Sequence, residues 1–126
     1  MTRGIIGILI LVLLLAAGLF VQWTMASLQA PITGELIQAA QAAAREDWAT
    51  AKRHQQTAQR GWGRAWRLTA AFADHQPMED VDSLFARLPI YAAEEETAEF
   101  SAGCRELARR VKAMYEAHSL TWWNLL

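Results

Sequence analysis

The sequence predicts an all-α protein in which an N-terminal transmembrane helix is followed by a small bundle of about four helices. Two observations carry this reading. The first is an uncharged apolar run from Gly4 to Val21. The second is a set of four later segments whose apolar residues recur every three or four positions, parted by proline, glycine and acidic clusters.

Of the 18 residues from Gly4 to Val21, 13 are Ile, Leu, Val or Phe and none is charged. At about −0.3 to −0.6 kcal/mol for each such residue near the bilayer centre, insertion gains roughly 4 to 8 kcal/mol, more than Gly4, Gly7 and Gly18 cost. With its margin through Trp23, the stretch approaches the ~20 residues needed to cross a hydrocarbon core, so residues 4–23 are expected to contact the lipid bilayer. A cleaved secretory signal is the rival reading, because Thr24-Met25-Ala26 forms a small-residue site before Ser27. The apolar core, however, exceeds the ~7 to 15 residues of a signal, and only Arg3 supplies a basic n-region. An uncleaved, single-pass signal anchor is therefore expected. Arg3 lies on one side and no basic residue occurs on the other before Arg45, which keeps the N-terminus cytoplasmic and makes the rest extracytoplasmic. Gly4 and Gly7 stand three apart and form no Gly-x-x-x-Gly dimerisation motif.

On this reading residues 1–30 comprise the cytoplasmic N-terminus, the anchor and a juxtamembrane linker. Residues 31–126 form one helical bundle domain with an apolar C-terminal tail, a length that suits one core and not two. Pro31 and Gly34 are expected to interrupt the chain before a first alanine-rich helix built on Leu36, Ile37, Ala40 and Ala44. Glu46-Asp47 ends it, with Asp47 placed to cap a second helix from Trp48. That helix aligns Trp48, Ala51, Gln55, Ala58, Trp62, Ala65, Trp66, Thr69 and Phe72 on one face and Lys52, Arg53, Arg60, Arg64 and Arg67 on the other. Gly61 and Gly63 weaken it by about 1 kcal/mol each relative to alanine, which fits a bend, a close backbone contact or, equally, a tolerated pair with no role.

Asp74-His75-Gln76-Pro77 stops the second helix. Pro77 can open a third, in which Val81, Leu84, Phe85 and Leu88 make a stripe that Pro89 is expected to cut off after barely three turns. Following Glu94-Glu95-Glu96, the longest clean pattern runs through Phe100, Cys104, Leu107, Ala108, Val111, Met114, Tyr115 and His118. The expected core holds Trp48, Trp66, Phe72, Leu84, Phe85, Leu88, Phe100, Leu107, Val111 and Tyr115. Ser119 is expected to end the fourth helix and let the tail fold back beside it. Trp122, Trp123, Leu125 and Leu126 in that tail are candidates for packing or for contact with a partner or the membrane.

Composition limits the function. A formal net charge of −1 offers nucleic acid no strong attraction, because phosphate binding usually shows as a clear basic excess, so no nucleic acid is expected. Residues 45–67 hold six basic residues against two acidic, a net of +4. Residues 74–99 hold Arg87 against eight acids, a net of −7. The two segments are expected to face each other within the bundle, where exposed pairs add only ~0 to 1 kcal/mol.

The three histidines, His54, His75 and His118, form no metal-binding spacing, and Cys104 stands alone on an apolar stripe as an inert buried thiol. Ser83, Ser101 and Ser119 lack any nucleophile context, and no phosphate-cradling glycine loop is present. No catalytic, cofactor-binding or metal residue, no cofactor and no small-molecule substrate is therefore expected. His75, beside Asp74 and ahead of a run of acids, is the candidate for helix capping or for a pH or ligand response.

Trp66, Phe72, His75, the Met78–Leu88 segment, Leu120-Thr121 and Asn124-Leu125-Leu126, together with the anchor, give the chain a resemblance. It resembles an uncharacterised family of short single-span bacterial membrane proteins, a domain of unknown function found mainly in Gram-positive spore formers. The resemblance implies an extracytoplasmic domain and carries no activity or site residue. The expected role is a noncatalytic accessory or scaffold protein with a protein partner at the membrane. The alternative is a sensor or ligand- or metal-binding module that uses the acidic segment and the histidines.

Overall fold

The computed structural model describes residues 1–69 and 75–124, without the side chains of Thr69, His75 and residues 118–124. Four helices run along the described chain: α1 (Thr2–Ala44), α2 (Trp48–Thr69), α3 (His75–Ala93) and α4 (Thr97–Asn124). Each packs antiparallel to its sequence neighbour. α1 is held between α2 and α4, and α3 closes the ring against α4 and, less extensively, α2.

The helix α1 is continuous through Pro31, so the expected interruption at Pro31 and Gly34 does not occur. Proline there removes one backbone bond and crowds the preceding turn. Burial of Ile32, Leu36, Ala39, Ala40, Ala42 and Ala43 on its C-terminal side outweighs that loss. Small side chains at four of these six positions let both flanking helices approach α1 closely. Ser101 Oγ of α4 donates to the Ala40 carbonyl at 3.4 Å, which fixes the register of the α1–α4 pair.

Two junctions share one construction. At the end of α1, Glu46 takes φ 60°, its N–H bonds the Ala43 carbonyl at 2.9 Å, and the Asp47 N–H bonds the Ala42 carbonyl at 3.0 Å. At the end of α3, Glu95 takes φ 53°, with matching bonds from Glu95 N–H to Ala92 and from Glu96 N–H to Tyr91. Both are left-handed helix terminations of the Schellman type, with glutamate where glycine is usual. Asp47 then caps α2 as expected: its carboxylate accepts the Thr50 N–H at 3.3 Å. Hydrogen bonding from Thr50 holds that carboxyl below its ordinary range.

Both junctions lie at the same end of the bundle, where Trp48 and Phe100 meet edge to face at 5.4 Å. Deeper in, Trp62 stacks on Phe85 at 6.0 Å and meets Trp66 edge-on. The core contains Trp48, Phe85, Leu88, Phe100, Leu107, Val111 and Tyr115 as the periodicity predicts. Trp66 and Leu84 are only half-buried at its margin, and Phe72 lies outside the described residues.

Two boundaries differ from expectation. Pro89 does not end α3, which continues to Ala93 and spans 19 residues. Burial of Phe85, Leu88 and Ala92 on both sides of the proline holds the helix together. Ser119 does not end α4 either: the backbone stays helical through Asn124, so no chain reversal occurs at that residue.

The glycine pair in α2 resolves into one close contact and one open position. A Cβ at Gly61 would sit 3.2 Å from Ile32 Cγ1 of α1, whereas one at Gly63 meets nothing within 4 Å. Gly63→Ala is therefore expected to stabilise the chain by about 1 kcal/mol through helix propensity. Gly61→Ala should gain less, because Ile32 must shift. Thermal unfolding of the two variants compares them directly, and an equal gain would mean that Ile32 yields freely.

Candidate functional site

Among the described residues the bundle presents charged side chains and two buried polar atoms without hydrogen-bond partners. Among the described residues, no group of three or more His, Cys, Asp or Glu side chains is placed to hold a metal ion. Cys104 is fully buried, and burial pushes its thiol up to about 12, which leaves it without nucleophilic thiolate at neutral pH.

A contact that periodicity did not find joins the first two helices. His54 Nδ1 of α2 donates to Glu35 Oε2 of α1 at 2.5 Å, with both side chains roughly a quarter exposed. The residues stand 19 apart and share no motif. The only signal in the sequence is the Glu46-Asp47 turn, which folds α2 back along α1. Glu35 is also the first charged residue after Arg3. The pair lies within the bundle-packed part of α1, about one turn past buried Ile32.

Among the described residues the basic and acidic segments do not pair across the bundle as expected. Among the described residues the remaining ion pairs are Arg110–Glu106 and Lys112–Glu116, both within α4 and both exposed. Arg53, Arg60, Arg64 and Arg67 on α2, and Glu79, Asp80 and Asp82 on α3, all point to solvent. The two helices pack through apolar faces that turn their charges outward. At the α3–α4 junction, desolvation and the neighbouring Glu94 push the Glu96 carboxyl above its ordinary value.

Two buried polar atoms, Trp62 Nε1 and Tyr115 Oη, have no hydrogen-bond partner among the described residues. Burial raises the Tyr115 phenol to about 12. An unmatched buried hydroxyl costs about 1 to 3 kcal/mol. Tyr115→Phe is therefore expected to leave the fold unharmed or to stabilise it by about 1 kcal/mol in a denaturant titration. A loss of stability would reveal that the hydroxyl is matched.

Of the residues singled out from the sequence, His75 is the first residue of α3, and Trp122 and Trp123 lie on the backbone of the last turn of α4. Their side chains, and Leu125 and Leu126 entirely, fall outside the described residues. His118 likewise has only its backbone described, within α4.

The fold defines a class: a small four-helix bundle in which one helix extends beyond the others as an exposed apolar rod, long and apolar enough to cross a membrane. Residues 19–125 match the family model of a domain of unknown function, DUF4363, and the chain belongs to that family. No curated protein and no solved structure matched the chain.

Proposed function

We propose that the protein is a membrane-anchored, noncatalytic accessory or scaffold protein that presents its helical bundle at the outer face of the cell membrane, with the N-terminus in the cytoplasm. The observation that supports this reading is the continuity of α1. The same helix carries the exposed apolar residues Ile5 to Phe20 and the buried residues Ile32 to Ala43. A continuous helix holds the bundle at a fixed height and orientation above the bilayer, which suits a module that meets a partner at the membrane. Met25, packed against the core, would be lost by cleavage before Ser27, so removing the span would also remove a bundle contact.

Alkaline extraction of membranes, followed by protease digestion of cells stripped of their wall, tests the arrangement. The expected result is a protein that stays in the membrane and whose bundle is cut from outside. A soluble protein beginning at Ser27, or a bundle protected until the membrane is opened, would overturn it. Crosslinking in native membranes tests the scaffold role: an adduct of discrete, reproducible mass is expected, and an exclusively monomeric protein would refute it.

A further inference from the structure

We infer that the C-terminal end of α4 is a second membrane-embedded element, which enters the lipid bilayer beside α1 on the side that faces the bundle. The inference rests on the membrane-anchor reading above and adds a site to it.

Register carries the argument. The bond from Ser101 Oγ to the Ala40 carbonyl pins α4 antiparallel to α1. At about 1.5 Å per residue in both helices, each residue further along α4 is matched by one residue further back along α1. Trp122 is then level with Leu19, and Asn124 with Ala17. Both matched positions lie inside the apolar run. α4 reaches this level because it is 28 residues long and does not stop at Ser119.

Two independent observations agree with that register. The last Asp, Glu, Lys or Arg of the chain is Glu116, level with Met25, and α1 itself carries no such residue between Arg3 and Glu35. Charge thus disappears from α4 where the apolar stretch of α1 begins. Burial along α1 shows the same boundary: every residue from Met1 to Phe20 is exposed except Gly18, and Gly18 and Val21 are half-covered, on one face and level with the last turn of α4.

The composition of this end suits lipid and not water. Leu120, Trp122 and Trp123 occupy the last turn, and tryptophan is favoured where hydrocarbon meets headgroup. A helical backbone satisfies its own hydrogen bonds, so a helix end can enter the interface without stranding polar groups in hydrocarbon. On α1, Trp23 is 68% exposed near the same boundary and supplies a second interfacial tryptophan.

The test uses the full chain in phosphatidylcholine vesicles with an environment-sensitive thiol label. Cys104 is fully buried and protonated, so it stays unlabelled and each introduced cysteine reports alone. Labels go at Asn124→Cys and, independently, Thr121→Cys. Phe20→Cys in the span and Glu99→Cys at the far junction serve as references. Nitroxide groups on the lipid acyl chains should quench the labels at 121 and 124 to an extent comparable with the label at 20. Aqueous iodide should quench them several-fold less than the label at 99. Labels reached by iodide as readily as at 99, or shielded from both quenchers by packing on protein, would overturn the inference while lipid quenching at 20 still held. Absence of lipid quenching at 20 would overturn the anchor reading and this inference together.

Discussion

Phe85→Ala is expected to cost about 3 to 5 kcal/mol, the largest loss of stability from any single truncation considered for the bundle. Phe85 is 1% exposed and stacks on Trp62 at 6.0 Å, so the substitution removes both the transfer of an aromatic ring from water and an aromatic pair. It also lies one turn before Pro89, whose missing N–H leaves the Phe85 carbonyl without its usual partner. Loss of the ring therefore weakens α3 where its backbone is already short of one bond. Unfolding of the full chain in detergent, followed by tryptophan fluorescence, measures the change. Neutralising exposed Arg109 in the same assay should stay within about 0.5 kcal/mol. A loss from Phe85→Ala as small as that would mean that the centre of the bundle lies elsewhere.

The sequence was most informative where a local rule and the packing agreed. The stripe Phe100, Cys104, Leu107 and Val111 is fully buried, because a 3.6-residue repeat on a helix without prolines leaves one way to hide its apolar face. Asp47 before Trp48 caps α2, because an N-cap needs only a short acceptor in the right place. The prolines were misleading for the converse reason. Pro31 and Pro89 break helices locally by about 3 kcal/mol, yet each sits beside residues whose burial is worth more: Ile32 and Leu36 in one case, Phe85 and Leu88 in the other. A local signal cannot weigh itself against packing that depends on the other three helices.

The same limit governed the site. The Glu35–His54 contact depends on how two helices are aligned, and no periodicity in either helix encodes that. The charge asymmetry between residues 45–67 and 74–99 was legible, but its meaning was not. Opposite net charges suggest pairing only if both faces turn inward, and the apolar stripes of α2 and α3 turn them out. Ser119 could end a helix by its own preference, but the backbone of α4 continues helical to Asn124.

Leu13→Arg is the substitution expected to affect the anchor most. Leu13 lies near the middle of the apolar run and is 69% exposed, in contact with nothing in the bundle. An arginine at the bilayer centre costs about 2.5 to 3.5 kcal/mol, and the lost leucine adds roughly 0.5, so insertion weakens by about 3 to 4 kcal/mol. Set against the roughly 4 to 8 kcal/mol gained by the whole run, this leaves a net gain of only about 0 to 5 kcal/mol. The share released by alkaline extraction should then rise measurably above that of the parent. Gln22→Arg is the matching control, because a long basic side chain at the edge of the run can reach the headgroups and should leave retention nearly unchanged. The stability of the bundle in detergent separates the two halves of α1, since neither position belongs to the core. Both variants should unfold like the parent, and a Leu13→Arg protein that unfolds early would show that the apolar run supports the bundle directly. Full retention of Leu13→Arg in membranes would place position 13 away from the bilayer centre, and the span would then have to be redrawn along α1.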